Sequence, residues 1–330
     1  MPVAASAPPR HVDATQSPPT RQRRARRWVR YRTRTFYAFV APWLFGLCGL
    51  TLLPMAYALW LSFTNSDGFS DSARFIGLEN YRQIFRDPLV LHSLGRTGLF
   101  TVVVVPLSVI GSLLLAMLIN RPVRGRGFFR TLFYLPAVVP SVAAALAWKL
   151  LFDRDSGAVN GVLVTLGGGP VAWLQDPAVF YVLISLMLWA VGGGMIISLA
   201  GLQDVPRELQ EAARVDGAGP WRVFRHVTVP IISPVLLFQV VTGVIGALQT
   251  YVQPILVAPN PSGVPSPSSV SPGNDLYVVH VFSQGFSLGR FGYASALLWL
   301  LFLVILLITL LILRLSKSLV FYNVNPDKES

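Results

Sequence analysis

Residues 208–230 read "ELQEAARVDGAGPWRVFRHVTVP", and this stretch between two long apolar segments decides how the chain is laid out. Pro206 suits the first turn of a helix, with Asp204 placed to cap it. Leu209, Ala212 and Ala213 then share one face, with Glu208, Glu211 and Arg214 around it. Asp216-Gly217 reads as a helix stop, because glycine accepts the left-handed backbone that such ends require. Pro220 starts a second short helix, on which Trp221, Phe224 and Val227 align against Arg222, Arg225 and His226. Pro230 marks the start of the next apolar segment. The expectation is two short amphipathic helices lying across a membrane face, docked either on lipid headgroups or on another protein.

The chain around this stretch is unusually apolar. Of its 330 residues 53% are hydrophobic and only 13% charged, against about 25% charged in soluble domains, and the mean hydropathy is +0.57. A bilayer core of roughly 30 Å takes about 20 apolar residues in a helix. Six segments meet that length: Phe36–Phe63, Thr97–Ile119, Thr131–Trp148, Val179–Leu202, Ile231–Val257 and Phe291–Leu313, none with an Asp, Glu, Lys or Arg. Pro54, Pro106, Pro136 and Pro140 are candidate kinks, which membrane helices tolerate. The moderately apolar stretch 157–174 contains Asn160 and a Gly-Gly-Gly-Pro break. It reads as an external loop with a short surface or re-entrant helix. The expected fold is an all-α membrane protein with six transmembrane helices.

Charge sets the orientation. Residues 1–36 hold nine arginines and one acid, Asp13. Such an arm can bind nucleic acid, but here it runs straight into an apolar segment and reads as a cytoplasmic anchor; no nucleic-acid partner is expected. The apolar run is too long for a signal-peptide core. With the N-terminus inside, cytoplasmic pieces carry 20 Lys or Arg and the opposite side seven. Both termini and residues 203–230 are therefore expected in the cytoplasm. Cys48 is the single cysteine and excludes an internal disulfide. His11, His92, His226 and His280 are scattered without metal-ligand spacing, so neither a metal nor a cofactor is expected.

At "EAARVDGAGPWRVFRHVTVPIISP" the chain resembles the EAA loop of permease subunits from binding-protein-dependent ABC importers. Glu211, Ala212, Ala213, Asp216, Gly217, Ala218, Trp221, Phe224 and Pro230 match that pattern position by position. "FIGLENYRQIF" (75–85), "RGRGFFRTLFYLPAVVP" (124–140), "LAGLQDVPRELQEAA" (199–213) and "FGYASALLWL" (291–300) resemble the carbohydrate-importer branch, in the first of its two paired permeases. The resemblance implies a six-span permease domain over 35–315, a coupling loop over about 203–230, and cytoplasmic tails at 1–34 (Arg-rich, disordered) and 316–330. It implies a bacterial inner-membrane location and four kinds of partner besides the bilayer: a second homologous permease, an ABC ATPase dimer, an extracytoplasmic solute-binding protein and a carbohydrate substrate. Glu211 would contact the ATPase, with Ala212, Ala213 and Gly217 allowing the close fit. The Pro- and Ser-rich stretch 257–277 departs from the Gly-Gly-Pro element of the family, so no contacts carry over there.

No G-x-x-x-x-G-K-[ST] occurs, and none of Lys149, Lys317 and Lys328 follows a glycine. The chain thus lacks the residues of a P-loop, and ATP hydrolysis is expected on a partner. An ion-coupled secondary carrier is the rival within transport, but such carriers place titratable groups at membrane depth, where these segments have none. A membrane scaffold, or an enzyme, is the other; Asp153 and Asp155 read as a solvated turn rather than a carboxylate pair. Lys149 is expected to snorkel to water. For a neutral sugar, "GALQTYVQP" (246–254) offers Gln249 and Gln253 four apart on one helical face with Tyr251 beside them, either as substrate contacts or as interhelical hydrogen bonds. Trp189 is a further candidate. The "VGGGM" run (191–195) is expected to allow close packing or a bend.

Overall fold

The structure is a computed structural model that describes residues 33–70, 73–122, 124–258 and 266–317. Residues 1–32 of the Arg-rich arm, 259–265 of the Pro- and Ser-rich stretch and 318–330 of the C-terminal tail lie outside it. The chain forms two compact units, Met1–Pro54 and Met55–Ser330. In the first, α1 (Thr33–Gly46) runs into a π-helical turn, Leu47–Leu52. α2 (Leu53–Leu61) leads into the second unit, followed by α3 (Glu79–Ile84), α4 (Pro88–Asn120), α5 (Arg126–Val138), α6 (Ser141–Leu151), α7 (Ala158–Thr165), α8 (Ala178–Trp189) and α9 (Gly192–Gln203). Then come α10 (Arg207–Val215), α11 (Pro220–Val223), α12 (Val229–Leu248), α13 (Val252–Val257), α14 (Tyr277–Phe282) and α15 (Phe291–Ser316). The described residues contain no strand; Thr64 and Phe75 form one isolated bridge.

Four helices are long and apolar enough to cross a membrane: Phe36–Leu61, Pro88–Asn120, Pro220–Leu248 and Phe291–Ser316. Two bent pairs bring the number to as many as six: α5 with α6, bent by 93°, and α8 with α9, bent by 43°. The third apolar segment is therefore no straight span. Pro140 drives its preceding residue, Val139, into an extended conformation (ψ 129°), which ends α5. The fifth segment also differs from a single helix over 231–257. α12 stops at Leu248, and Tyr251, at φ −146°, starts α13. Pro254 explains the break, since a continuous helix would press its ring against the carbonyl of Thr250, four residues earlier.

The N-terminal end of that segment differs too. α11 is not a separate surface helix; it continues through a π-helical turn, Phe224–Thr228, into α12. Pro230 falls in the first turn of α12, where the wider turn beforehand relieves the contact a proline makes with the preceding carbonyls. The turn at Leu47–Leu52 stands just before Pro54 in the same way.

α4 is the central element and packs against α8, α9, α12 and α14. One core cluster joins Phe100, Val104 and Val105 of α4 to Leu183 of α8 and Val244 and Leu248 of α12. A second joins Ala116 and Ile119 to Met195 and Leu199 of α9 and Ile232 of α12. The Gly192–Gly194 run does both things expected of it. It starts α9 just after the bend, and a Cβ on Gly192 would overlap the carbonyl oxygen of Phe133. Many large apolar side chains stay on the outside, Phe39, Val102 and Leu307 among them, and small polar ones such as Ser112, Ser198 and Gln239 lie inside. Lipid accounts for that inversion, because it solvates the apolar exterior and leaves amides and hydroxyls to find partners within.

Candidate coupling loop and substrate cavity

α10 ends in a fully formed glycine stop. Gly217 sits at φ +82°. The N–H of Ala218 donates to Ala213 O at 2.9 Å, and that of Gly217 to Arg214 O at 3.0 Å, which is the hydrogen-bond pattern of a Schellman end. At the other end Pro206 is the N-cap and no side chain caps the helix; Asp204 closes α9 instead. Glu211, Ala212 and Asp216 are exposed, Ala213 and Ala218 half-buried. Apart from its chain neighbours, a Cβ on Gly217 would meet no described residue within 4 Å. The apolar side chains here point outward as well: Val215 is 87% and Trp221 70% exposed. Trp221 packs its ring against Phe224 at 5.5 Å, while Val223 on the opposite side is buried. Glu211 makes no ion pair with any described residue. The loop is well ordered internally yet leaves charged and apolar groups unused, as a surface built for a partner does.

Above this loop α12 forms one wall of an open cavity of about 470 Å³ shared with α4, α8, α9 and α13. Its polar lining is uncharged: Ser108, Gln239, Thr242, Thr250 and Gln253. Gln239 is held from behind. Ser112 Oγ donates to its Oε1 at 2.9 Å and its Nε2 donates to Ser198 Oγ at 2.8 Å, so α4, α9 and α12 meet at one amide. Gly194 makes room for this, as a Cβ there would stand 2.9 Å from Gln239 Oε1 and 3.0 Å from Ser112 Cβ.

The four pathway candidates separate. Gln253 lines the cavity and also an adjoining pocket of about 200 Å³ that includes Trp189. Trp189 packs against Trp148 at 4.8 Å. Gln249 does not share a helical face with Gln253, because α12 ends at Leu248 and α13 begins only at Val252; it is exposed at the break. Tyr251, 39% exposed, opens a row of rings. It stacks on Phe282 at 5.9 Å, Phe282 on Phe286 at 4.4 Å, and Phe286 meets Phe291 edge-on at 5.3 Å. Gln239 and the Phe282–Phe286 pair were missed by sequence reasoning. A single Gln in "VLLFQVVTG" carries no spacing signal, whereas two phenylalanines four apart on either side of a glycine were visible.

The stretch after residue 265 is tied down. Arg96 donates through Nε to Gly273 O at 3.1 Å, the Gly273 N–H donates to Asp176 Oδ1 at 3.0 Å, and the Arg96 guanidinium lies 4.4 Å over the Phe180 ring. Asp275 is half-buried there, and burial pushes its carboxyl above the ordinary range, partly offset by His280 and His92. Lys149 is half-buried at the end of α6. Its Nζ donates to Ala258 O at 2.9 Å, the C-cap of α13, a favourable place for a cation. Asp153 folds back onto the N–H groups of Ser156 and Asp155, and those bonds, Ser156 first, hold its pKa below the ordinary value. No group of three or more His, Cys, Asp or Glu among the described residues is arranged to hold a metal ion.

Comparison with known proteins places this geometry. Residues 108–321 match the family described as binding-protein-dependent transport system inner membrane component. The probable ABC transporter permease protein YesP of Bacillus subtilis is 34% identical over 291 residues, 87% of this chain and 92% of that protein. The lactose transport system permease protein LacF of Rhizobium radiobacter is 37% identical over 227 residues, covering 67% and 75% of the two chains. A chain in the crystal structure of a bacterial alginate ABC transporter, in complex with an alginate pentasaccharide-bound periplasmic protein, has the same fold, with a TM-score of 0.75 and 22% identity over 88% of this chain and 96% of that one. A multi-pass helical protein with this loop, this cavity and these relatives belongs to the binding-protein-dependent transport system inner membrane component family of ABC transporter permeases.

Proposed function

We propose that the chain forms half of a transmembrane pathway for a carbohydrate, paired with a second, related permease in the inner membrane of a bacterium. Residues 35–315 form the permease domain, with six spans when each bent pair counts as one. Both tails and residues 203–230 face the cytoplasm, in line with the bias of Lys and Arg. Energy comes from an ABC ATPase dimer that hydrolyses ATP on its own sites. A solute-binding protein delivers the sugar from outside. LacF is named for lactose, and the transporter of similar fold was captured with a pentasaccharide-bound periplasmic protein; an oligosaccharide is the substrate class that fits.

The observation that carries this reading is the continuity of Pro220–Leu248. One helix begins beside the exposed loop and ends as the wall of an uncharged, mostly apolar cavity in which the amides of Gln239 and Gln253 and the hydroxyls of Ser108, Thr242 and Thr250 are set. Such groups bind sugar hydroxyls without asking for charge. Glu211, Ala212, Ala213, Asp216, Gly217, Ala218, Trp221 and Phe224 form the seat for the ATPase, and Pro230 fixes where the span begins. In the pathway, Gln253 with Gln239 and Thr242 contact the sugar, Trp189 flanks it, Tyr251 belongs to the ring row next to the cavity, and Gln249 stands at the helix break. Loop movement shifts the cavity only if the ATPase contact differs between the two transport states.

The test is reconstitution of the complete transporter with Glu211→Lys and, separately, Gln253→Ala. Glu211→Lys is expected to lose the ATPase on purification and abolish uptake, with the fold intact. Gln253→Ala is expected to keep the ATPase and lose uptake of one sugar. Full ATP-driven uptake with Glu211→Lys would end the coupling assignment.

A further inference from the structure

We propose that the end of α4 and the start of α5 form a binding site for an anionic phospholipid. A cavity of about 180 Å³ lies there, lined by Leu118, Ile119, Phe129 and Phe133 with a single cation, Arg126. The Arg126 guanidinium is only partly satisfied. One terminal nitrogen reaches Asn120 Oδ1 at 3.4 Å, and Nε, shut off from solvent, has no acceptor among the described residues. A buried donor of a charged group is costly to leave unpaired, and the apolar walls offer it nothing.

Residues 120–130 contain four arginines (Arg121, Arg124, Arg126 and Arg130) and no acid. Arg121, Arg124 and Arg130 are exposed, as are the rings of Phe128 and Phe129. The position is the end of a 33-residue apolar helix, where hydrocarbon gives way to headgroups. A phosphodiester supplies the acceptor that Arg126 lacks and the negative charge that the other arginines favour, and an acyl chain fills the apolar cavity. A free phosphate has the same anionic group but leaves these walls empty, so the site is assigned to the lipid. Basic pockets between membrane helices recognise headgroups in this manner.

The test uses the full-length chain within its assembled transporter, purified in detergent, with bound lipid counted by native mass spectrometry. It is titrated with phosphatidylglycerol, with phosphatidylcholine of the same chains, and with inorganic phosphate. The anionic lipid is expected to bind about five-fold more tightly than the zwitterionic one. Arg126→Gln should remove that preference, whereas Arg314→Gln, at the end of α15, should not. Leu118→Trp, which fills the cavity and keeps every charge, should lower retention of both lipids. Equal affinity for the two lipids, an unchanged preference in Arg126→Gln, or displacement by millimolar inorganic phosphate would each overturn the proposal. Finding the ATPase or the second permease seated on Arg126 in the assembled transporter would also overturn it, by giving the site to protein. If Arg126→Gln does not assemble, Leu118→Trp and Arg126→Lys, which keeps the charge without the Nε donor, decide: wild-type retention in both ends the proposal.

Discussion

Gly217 separates two roles that a glycine can play, and the structure says how to tell them apart. Its φ of +82° ends α10, and apart from its chain neighbours no described residue lies within 4 Å of a Cβ built there. Gly217→Ala therefore carries no steric penalty inside the subunit, only the left-handed backbone cost of about 1–2 kcal/mol. Gly217→Asn avoids most of that cost, because asparagine tolerates the left-handed region. If the glycine served only the helix stop, Gly217→Asn would behave as wild type throughout. In the proposed docking, the ATPase fills the open space beside Gly217. An added side chain at a close-packed contact costs about 1–3 kcal/mol, a loss in ATPase affinity of roughly 5- to 150-fold. Gly217→Asn is thus expected to unfold at nearly the wild-type temperature yet lose the ATPase during purification, while Gly217→Ala is less stable by a few degrees. Thermal unfolding of the subunit and quantitative co-purification measure the two separately. Wild-type ATPase retention and uptake in Gly217→Asn would refute the close-fit reasoning; unchanged stability in Gly217→Ala would refute the backbone reasoning.

Ser198→Ala and Gln239→Ala should each destabilise the subunit and, combined, cost less than their sum, with a coupling near 0.6–1.7 kcal/mol as for other hydrogen bonds within membranes; a coupling indistinguishable from zero in a denaturant-based cycle would mean that the Ser112–Gln239–Ser198 cluster does not act as a unit. Gly194→Val should be more damaging than either, since even its Cβ stands 2.9 Å from Gln239 Oε1; wild-type stability would contradict the tight meeting of α4, α9 and α12. Asp275 has a raised pKa in the folded protein, so its neutral form adds stability at acid pH, which is lost as pH rises from the ordinary carboxylate value through the folded one. Asp275→Asn should then raise the unfolding temperature at neutral pH and make no difference at acid pH; a gain of equal size at both would remove burial as the cause.

Much of this was written in the sequence because it depends on local physics. The apolar runs located the spans, and an Asp-Gly pair after an alternating helix located the end of α10. The breaks were harder to place, although their causes are visible. Pro140 bends the third segment through Val139, and Pro254 ends α12 early, but α4 carries Pro106 without interruption. A proline alone does not say which of these will happen; packing on either side decides. The same limit hid the continuity of α11 with α12, because a π-helical turn has no composition of its own. Gln239 became a candidate only when folding brought Ser112, 127 positions earlier, and Ser198, 41 earlier, against its amide. Gln249 looked equally promising in sequence and lost its place when the helix stopped one residue before it.

The π-helical turn at Phe224–Thr228 also sets an angle. A helix advances about 100° per residue, so one extra residue in a turn rotates everything beyond it by roughly that amount. The turn thus fixes the phase between the Trp221 face, at the N-terminal end, and the Gln239 face on the cavity. From Pro220 to Gln239 the rod is roughly 28 Å long, and a tilt of about 10° at one end sweeps the other through roughly 5 Å, close to one helical pitch. With the phase set in this way, Gln239, Thr242 and Gly246 come to line the cavity.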